Sequence, residues 1–133
     1  MTAYAALTDL YALGLPLVAM GSVSAATQQR CLDARNEFAD DKLRARYRLP
    51  LSTPYPLSLV QAVCHLAAWD ALVIRGYNPQ SGADVVIVDR ANAALKWFDD
   101  VERQRAHPAV VEAGGTDPSY DAPLIVSTAR QGW

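Results

Sequence analysis

One segment of the chain is apolar on nearly every side, and this segment constrains the fold more than any other feature. It runs from Leu59 to Arg75, and a helix of that composition is buried over most of its surface. Ser58 precedes it as the predicted N-cap, and Gly76 follows it as the predicted stop. We therefore expect a central helix against which the rest of the chain packs. Its polar interruptions are Gln61, His65 and Asp70.

Three further helices are predicted from caps, breakers and apolar spacing. The first is short, with Thr8 as the N-cap of residues 9–13. The second begins after an N-cap at Ser24 and reaches about Tyr47. The last runs from about Ala83 to Arg105. The β-branched residues near its start would also suit a strand, but the apolar residues continue one helical face, which favours a helix.

The expected fold is all-α, a small four-helix bundle. Between its second and third helices, residues 49–57 hold three prolines and should form an extended, rigid connection. Alanine accounts for 23 of the 133 residues, which favours helices but builds a thin core from small side chains. A thin core at this length raises the prospect that partner subunits complete the burial.

The chain changes character after His107. We expect a helical domain over residues 1–108, and a flexible linker with an extended or short-β C-terminal arm over residues 109–133. Glycine, proline and aspartate are frequent between residues 112 and 123, a composition typical of loops. An apolar stretch follows and ends in tryptophan, which predicts an arm that docks on another protein. The predicted arm residues are Leu124, Ile125, Val126, Arg130 and Trp133.

Composition and charge exclude several classes of protein. Hydrophobic residues make up 51% of the chain and the net charge is −2, which excludes an intrinsically disordered chain and argues against a dedicated nucleic-acid binder. No uninterrupted apolar run reaches the roughly 20 residues of a membrane span. The first residues lack the basic region of a secretory signal. Two cysteines are too few for a disulfide scaffold and suit a reducing compartment.

The sequence offers no convincing catalytic or metal site. Cys64 and His65 are neighbours, and on a helix neighbours point about 100° apart, so a nucleophilic pair is not favoured. A buried thiol beside a polar core or interface histidine is the expected arrangement. Metal-ligand spacings and phosphate-binding loops are absent, and the paired acids at 40–41 and 99–100 are expected on solvated faces. We therefore predict no enzyme, no cofactor and no metal.

Arginine outnumbers lysine ten to two, and charged residues gather near the ends of the second and fourth helices. Arginine suits fixed interface pairs because its planar guanidinium matches a carboxylate. These residues are therefore candidates for contacts between subunits, with ordinary solvated helix faces as the alternative. The candidates are Arg44, Asp99, Asp100, Arg103 and Arg105.

One stretch resembles the signature of a known family. Residues 43–51 read Leu-Arg-Ala-Arg-Tyr-Arg-Leu-Pro-Leu, similar to the L-x-x-R-Y-x-L-P-L signature of the Mu-like phage neck or head-completion protein family. The Ala-Ala-Leu-Lys-Trp-Phe run at 93–98 is also similar to that family. Lys42 stands where the family often has an aromatic residue, and the tail differs from the usual ending. The residues that match the motif are Arg46, Tyr47, Leu49, Pro50 and Leu51.

The resemblance implies a virion structural protein of the neck, assembled in the host cytoplasm. Such a head–tail connector forms a ring, commonly of twelve copies, beneath the portal protein. It extends the DNA channel and docks the next neck or tail-completion protein, while DNA passes through the lumen without specific binding. Neither a cofactor nor a membrane is implied. The alternatives are a small helical regulatory module that acts as a dimer, and a small helical enzyme that uses Cys64 or His65.

Overall fold

The computed structural model describes residues 3–112, which form four helices in the order the sequence predicts. Helix α1 spans Leu7–Asp9 and continues into a π-helical turn at Leu10–Gly14. A 3-10 turn follows at Leu17–Met20. The long helices are α2 at Ala25–Arg44, α3 at Leu57–Arg75 and α4 at Gly82–Glu102. The all-α prediction is therefore confirmed for these residues, whereas the predicted arm lies outside them.

Helix α3 is the central element, as its composition predicts. It packs against α2, α4 and the N-terminal turns, and ten of its residues are buried. Arg35 of α2 pairs with Asp70 of α3, and Phe38 of α2 meets Phe98 of α4 edge-on at 5.5 Å. These contacts, with the Lys42–Glu102 ion pair, show that α2 and α4 run side by side in the same direction and that α3 runs opposite to them.

Small side chains allow the N-terminal turn to approach α3 closely. A Cβ placed on Gly14 would lie 2.8 Å from the carbonyl oxygen of Cys64 and 3.2 Å from the Cβ of Ala68. Glycine is therefore the residue that fits there, and the small side chain of Ala68 on α3 permits this close contact. The core predicted from the alanine content is therefore built here from small side chains, which let the N-terminal turn lie directly on α3.

Buried polar groups fix the N-terminal segment to α2. The Asn36 Oδ1 accepts hydrogen bonds from the backbone N–H of Tyr4 and of Ala5, at 3.0 and 3.2 Å, and Asn36 is fully buried. The Tyr4 hydroxyl donates to Asp40, which is also buried. The expectation that the acids at 40–41 lie on a solvated face is therefore wrong for Asp40, although Asp41 is exposed.

Helix starts depend on which group satisfies the first N–H groups. Ser24 caps α2 by accepting from the Thr27 N–H, as predicted. Ser58 is not the cap of α3, because the Pro56 carbonyl already accepts the first bonds and α3 begins at Leu57. Thr8 is not the first cap either. The Asp9 carboxylate accepts the Ala6 N–H, so the first turn starts at Leu7.

Two predicted helix ends are too late. Helix α2 stops at Arg44, where the N–H groups of Arg46 and Tyr47 both return to the Leu43 carbonyl. Helix α4 begins at Gly82 behind Ser81, contains the β-branched residues that would also suit a strand, and stops at Glu102. A positive φ of 66° at Gln104 ends it before Arg105.

The connection between α2 and α3 is irregular and pairs with the last described residues. Leu51 forms an isolated antiparallel bridge with Glu112, and the Ser52 N–H donates to the Val111 carbonyl. The peptide bonds Leu49–Pro50 and Thr53–Pro54 are cis. The proposed division at residue 108 remains a prediction.

Helix α3 is long and apolar enough, by length and composition, to cross a bilayer. However, 56% of its most apolar window is buried inside the protein between the other elements. A core helix of a soluble protein has the same pattern, so this property alone is weak evidence for a membrane span.

Candidate functional site

Exposed apolar side chains gather at the end of the bundle where α3 finishes and α4 begins. Seven of the ten large apolar side chains that are exposed within residues 3–112 lie there, with exposed fractions from 37% to 91%. We call this surface the apolar end. It consists of Leu17, Val18, Val73, Ile74, Tyr77, Val85 and Val86.

Arg75 holds the three segments of the apolar end together. Its Nη1 donates to the Ala19 carbonyl at 2.9 Å, and its Nη2 donates to both carboxylate oxygens of Asp84. Every residue of the apolar end lies within two positions of Ala19, Arg75 or Asp84. The hydrogen bond from Arg75 lowers the pKa of Asp84, and one from the Asn78 N–H acts in the same direction. This network brings the three segments that carry the apolar residues to the same end of the bundle.

The opposite end of the bundle carries ion pairs. Asp99 contacts Arg103 and Arg105 at 3.2 and 3.7 Å, and Asp100 contacts Lys96 at 2.7 Å and Arg105 at 3.6 Å. The Lys96 ammonium lowers the pKa of Asp100. Helix α4 has 21 residues, so this charged end lies about 30 Å from its first residue. The charged end consists of Lys42, Arg44, Asp99, Asp100, Glu102, Arg103 and Arg105.

The structure brings together four of the five predicted subunit-interface residues, all on the last turn of α4 or directly after it. Arg44, which also belongs to the charged end, lies at the end of α2, where it pairs with Asp41 at 3.1 Å. All five already have partners within the subunit, and exposed pairs of this kind contribute little stability. If these residues contacted a neighbouring subunit, they would replace ion pairs within the subunit by ion pairs between subunits.

The residues of the sequence motif join the charged end to the rest of the fold. Arg46 Nη1 donates to the Val101 carbonyl at 3.0 Å, near the end of α4, and its guanidinium lies over the Tyr47 ring at 5.2 Å. Burial raises the pKa of the Tyr47 hydroxyl. Leu51 is buried, Leu49 is half-buried and Pro50 is exposed. The motif therefore connects the last turn of α2 with that of α4.

Comparison with known families identifies the chain. The family model described as "Bacteriophage Mu, Gp36" matches residues 3–126. The chain belongs to the bacteriophage Mu Gp36 family. It is therefore a phage protein, and membership of such a family indicates an association with the virion. No curated protein matches the chain. The Gp36 match includes Leu124, Ile125 and Val126 of the predicted arm and ends before Arg130 and Trp133.

The cysteine and histidine of this Gp36-family protein that could carry chemistry lie on α3. Cys64 is fully buried, and burial raises the pKa of its thiol to about 12, so the thiolate is scarce at neutral pH. His65 is half-buried. Burial lowers the pKa of His65, and the Arg90 guanidinium lowers it further, while a hydrogen bond with the Leu13 backbone acts the other way. The Cys64 environment is that of a structural thiol.

Sequence patterns indicated the charged end but not the apolar end. Each of the pairs Leu17-Val18, Val73-Ile74 and Val85-Val86 places two apolar residues in succession, and in each pair both residues are exposed. Those three pairs were the available signal. What the sequence does not contain is the ion pair of Arg75 with Asp84, which brings the pairs to the same end.

Proposed function

We propose that this Gp36-family protein is a head–tail connector, an adaptor that joins two other components of the virion neck. The observation that carries the proposal is the chemical difference between the two ends of the bundle. One end exposes apolar side chains and the other carries ion pairs, about 30 Å apart along α4. A protein that joins two different partners requires two different surfaces, and family membership supplies the phage setting.

The apolar end is proposed as the surface that docks on the portal protein or on the next neck protein. Large exposed apolar patches mark interaction sites in soluble proteins. Val18 is 91% exposed and Ile74 is 57% exposed, which is unfavourable in water unless a partner covers them. The charged end then faces the second partner, where residues such as Arg103 and Asp99 set orientation by charge.

A ring of twelve copies, the number that the family resemblance implies, is part of the proposal. Near balance of charge suits a channel that DNA passes through without specific binding, because phosphate contacts dominate non-specific affinity. The arm residues Leu124–Val126, Arg130 and Trp133 are proposed to reach the portal. A non-enzymatic role is supported by the buried, protonated Cys64 thiol.

The test uses heads that lack this protein and purified tails. Wild-type protein added to the heads should restore joining, counted as tailed particles by electron microscopy. The double variant Val18→Glu, Ile74→Glu should fold, since both side chains are exposed, yet fail to restore joining. Asn92→Glu is the control, because Asn92 is exposed on α4 away from the apolar end.

Two results would contradict the connector proposal. The first is full joining by the double variant at the same protein concentration as the wild type. The second is a stable dimer, measured by sedimentation over a range of concentrations, that does not bind isolated portal rings. That second result would favour the regulatory module instead.

A further inference from the structure

A shallow groove of about 230 Å³ runs between α3 and α4 on the side of the bundle. Its lining is mainly apolar, with Ala93, Ala94 and Trp97 from α4 and Ala62 from α3. Small-molecule sites generally begin at roughly 300 Å³, so this groove suits a few side chains of an extended peptide better than a metabolite. The remaining lining residues are Ser58, Gln61, His65 and Arg90.

One cation in this groove has no counter-ion within residues 3–112. Arg90 is exposed, and no carboxylate of the described part of the chain pairs with it. It lies near enough to His65 to act on that ring electrostatically, so both groups are at the same part of the groove. A peptide that carries an acidic group next to apolar side chains would complement both Arg90 and the apolar lining.

We propose that the groove binds a segment of the same chain, residues Asp121–Val126. This stretch reads Asp-Ala-Pro-Leu-Ile-Val and places one carboxylate three residues before an apolar triplet. The Asp121 carboxylate pairs with Arg90, and the apolar triplet covers the alanines and Trp97. The assignment goes beyond the connector proposal and does not rest on it.

The reach of the chain supports an occupant from the same molecule. The Ser52 N–H donates to the Val111 carbonyl, so Val111 lies beside Ser52. Ser58 lies at the edge of the groove, six residues after Ser52, so the distance from Ser52 to Ser58 is at most about 20 Å. The groove from Ser58 to His65 adds about 10 Å along α3. The ten residues from Val111 to Asp121 span up to about 35 Å, so the segment reaches Arg90.

The groove contact does not depend on the connector proposal, because both the groove and the segment belong to one chain. The groove contact is therefore measured on the isolated full-length protein, without any phage partner. Its failure is distinguishable from failure of the connector proposal, which is measured by head–tail joining.

Disulfide trapping tests the proposal on the full chain. Cysteines are introduced by Ala93→Cys in the groove and Ala122→Cys in the segment, and oxidation is followed by non-reducing electrophoresis and mass spectrometry. The native thiols do not compete, because Cys31 and Cys64 are buried and burial raises the pKa of both. We expect rapid formation of an intrachain disulfide.

Charge reversal provides the specificity control. Arg90→Glu in the trapping background should slow the disulfide by at least about fivefold, and adding Asp121→Arg should restore its rate. The matched control is Arg30→Glu, since Arg30 is exposed on α2 and lies outside the groove. Equal rates in all variants, absence of the disulfide, or a disulfide mainly between two chains would each overturn the proposal, the last by assigning the groove to a second copy.

Discussion

Arg75 at the end of α3 and Asp84 in the first turn of α4 form the ion pair that holds the apolar end in shape. Nη2 of Arg75 lies 2.9 and 2.8 Å from the two carboxylate oxygens, and the Asp84 side chain is only 6% exposed. The Asn78 N–H donates to the same carboxylate at 2.9 Å. Because Arg75 also donates to the Ala19 carbonyl, one guanidinium connects three segments.

Asp84→Asn should lower stability at pH 7 and reduce its loss in acid. The Arg75 hydrogen bond lowers the folded-state pKa of Asp84, so its contribution is fully present above the ordinary pKa and is lost as pH falls through the lower, folded value. We expect the wild type to lose stability below about pH 4. The variant should still lose some stability in acid, because the folded-state pKa of Asp100 is lowered as well.

The measurement for Asp84→Asn is the urea midpoint at pH 7 and at pH 3. Asp89→Asn is the control, because Asp89 is exposed on the same helix and no cation pairs with it within residues 3–112. Its urea midpoints should follow those of the wild type at both pH values. Identical acid slopes for the Asp84 variant and the wild type would show that the Arg75 contact does not act as described.

Gly14→Ala should destabilise the protein by about 1–3 kcal/mol, because a Cβ there meets the Cys64 carbonyl at 2.8 Å and the Leu10 Cδ1 at 2.9 Å. Gly82→Ala is the matched control. A Cβ on Gly82 meets nothing within 4 Å at the first residue of α4, so alanine should be neutral or stabilising by up to about 1 kcal/mol. Thermal unfolding of both variants checks the contrast, and equal effects would contradict it.

Asn36→Ala should destabilise by at least about 2 kcal/mol, since it leaves buried backbone groups of Tyr4 and Ala5 without their partner. Hydrogen exchange at the Tyr4 and Ala5 amides should accelerate more than exchange in α3. Gln29→Ala is the comparison on the same helix. Among residues 3–112 the Gln29 side chain bonds to Asp33 alone, one turn along α2, so its loss should cost less than about 0.5 kcal/mol. A uniform change in exchange would argue against a local tether.

The helices were predictable from sequence because their signals are local. Apolar spacing and the Ser24 cap depend on residues within a turn or two, and they identified α2, α3 and α4. Ser58 was a wrong cap for an equally local reason, since the Pro56 carbonyl accepts the first helical bonds.

Buried polar residues and the apolar end were not predictable, because they depend on contacts between distant segments. Asp40 was expected on a solvated face of α2, yet both Asp40 and Asn36 are buried, because Tyr4, more than 30 residues earlier, forms hydrogen bonds with them. Ile74 is exposed beside Arg75, whose ion pair with Asp84 joins the end of α3 to the first turn of α4, a contact between residues nine positions apart on two helices. The charged end was visible as a cluster of charges, and its Lys96–Asp100 and Asp99–Arg103 pairs have the i, i+4 spacing of helical ion pairs. The Lys42–Glu102 pair was not predictable, because it joins two helices.

Cys64 should behave as a structural thiol. An aromatic disulfide reagent at pH 8 should label neither Cys64 nor Cys31 in the folded protein, because both are buried and burial raises their pKa, to about 12 for Cys64. Both should react in urea. Cys64→Ser should destabilise by about 1–3 kcal/mol through an added buried hydroxyl, more than Cys64→Ala. Rapid labelling of the native protein at Cys64 would instead favour a reactive nucleophile.

Arg46→Ala should separate the last turns of α2 and α4 and lower stability by about 1 kcal/mol, because the guanidinium donates to the Val101 carbonyl near a helix C-terminus. Arg48→Ala is the matched control within the same motif. Arg48 is exposed, and its backbone N–H rather than its side chain donates to Glu112, so the change should stay within about 0.5 kcal/mol. Urea unfolding gives the stabilities, and amide exchange at residues 103–107 should increase for the Arg46 variant alone. Equal stability of the two variants would contradict this prediction, since the contact of Arg46 with α4 would then contribute nothing measurable to folding.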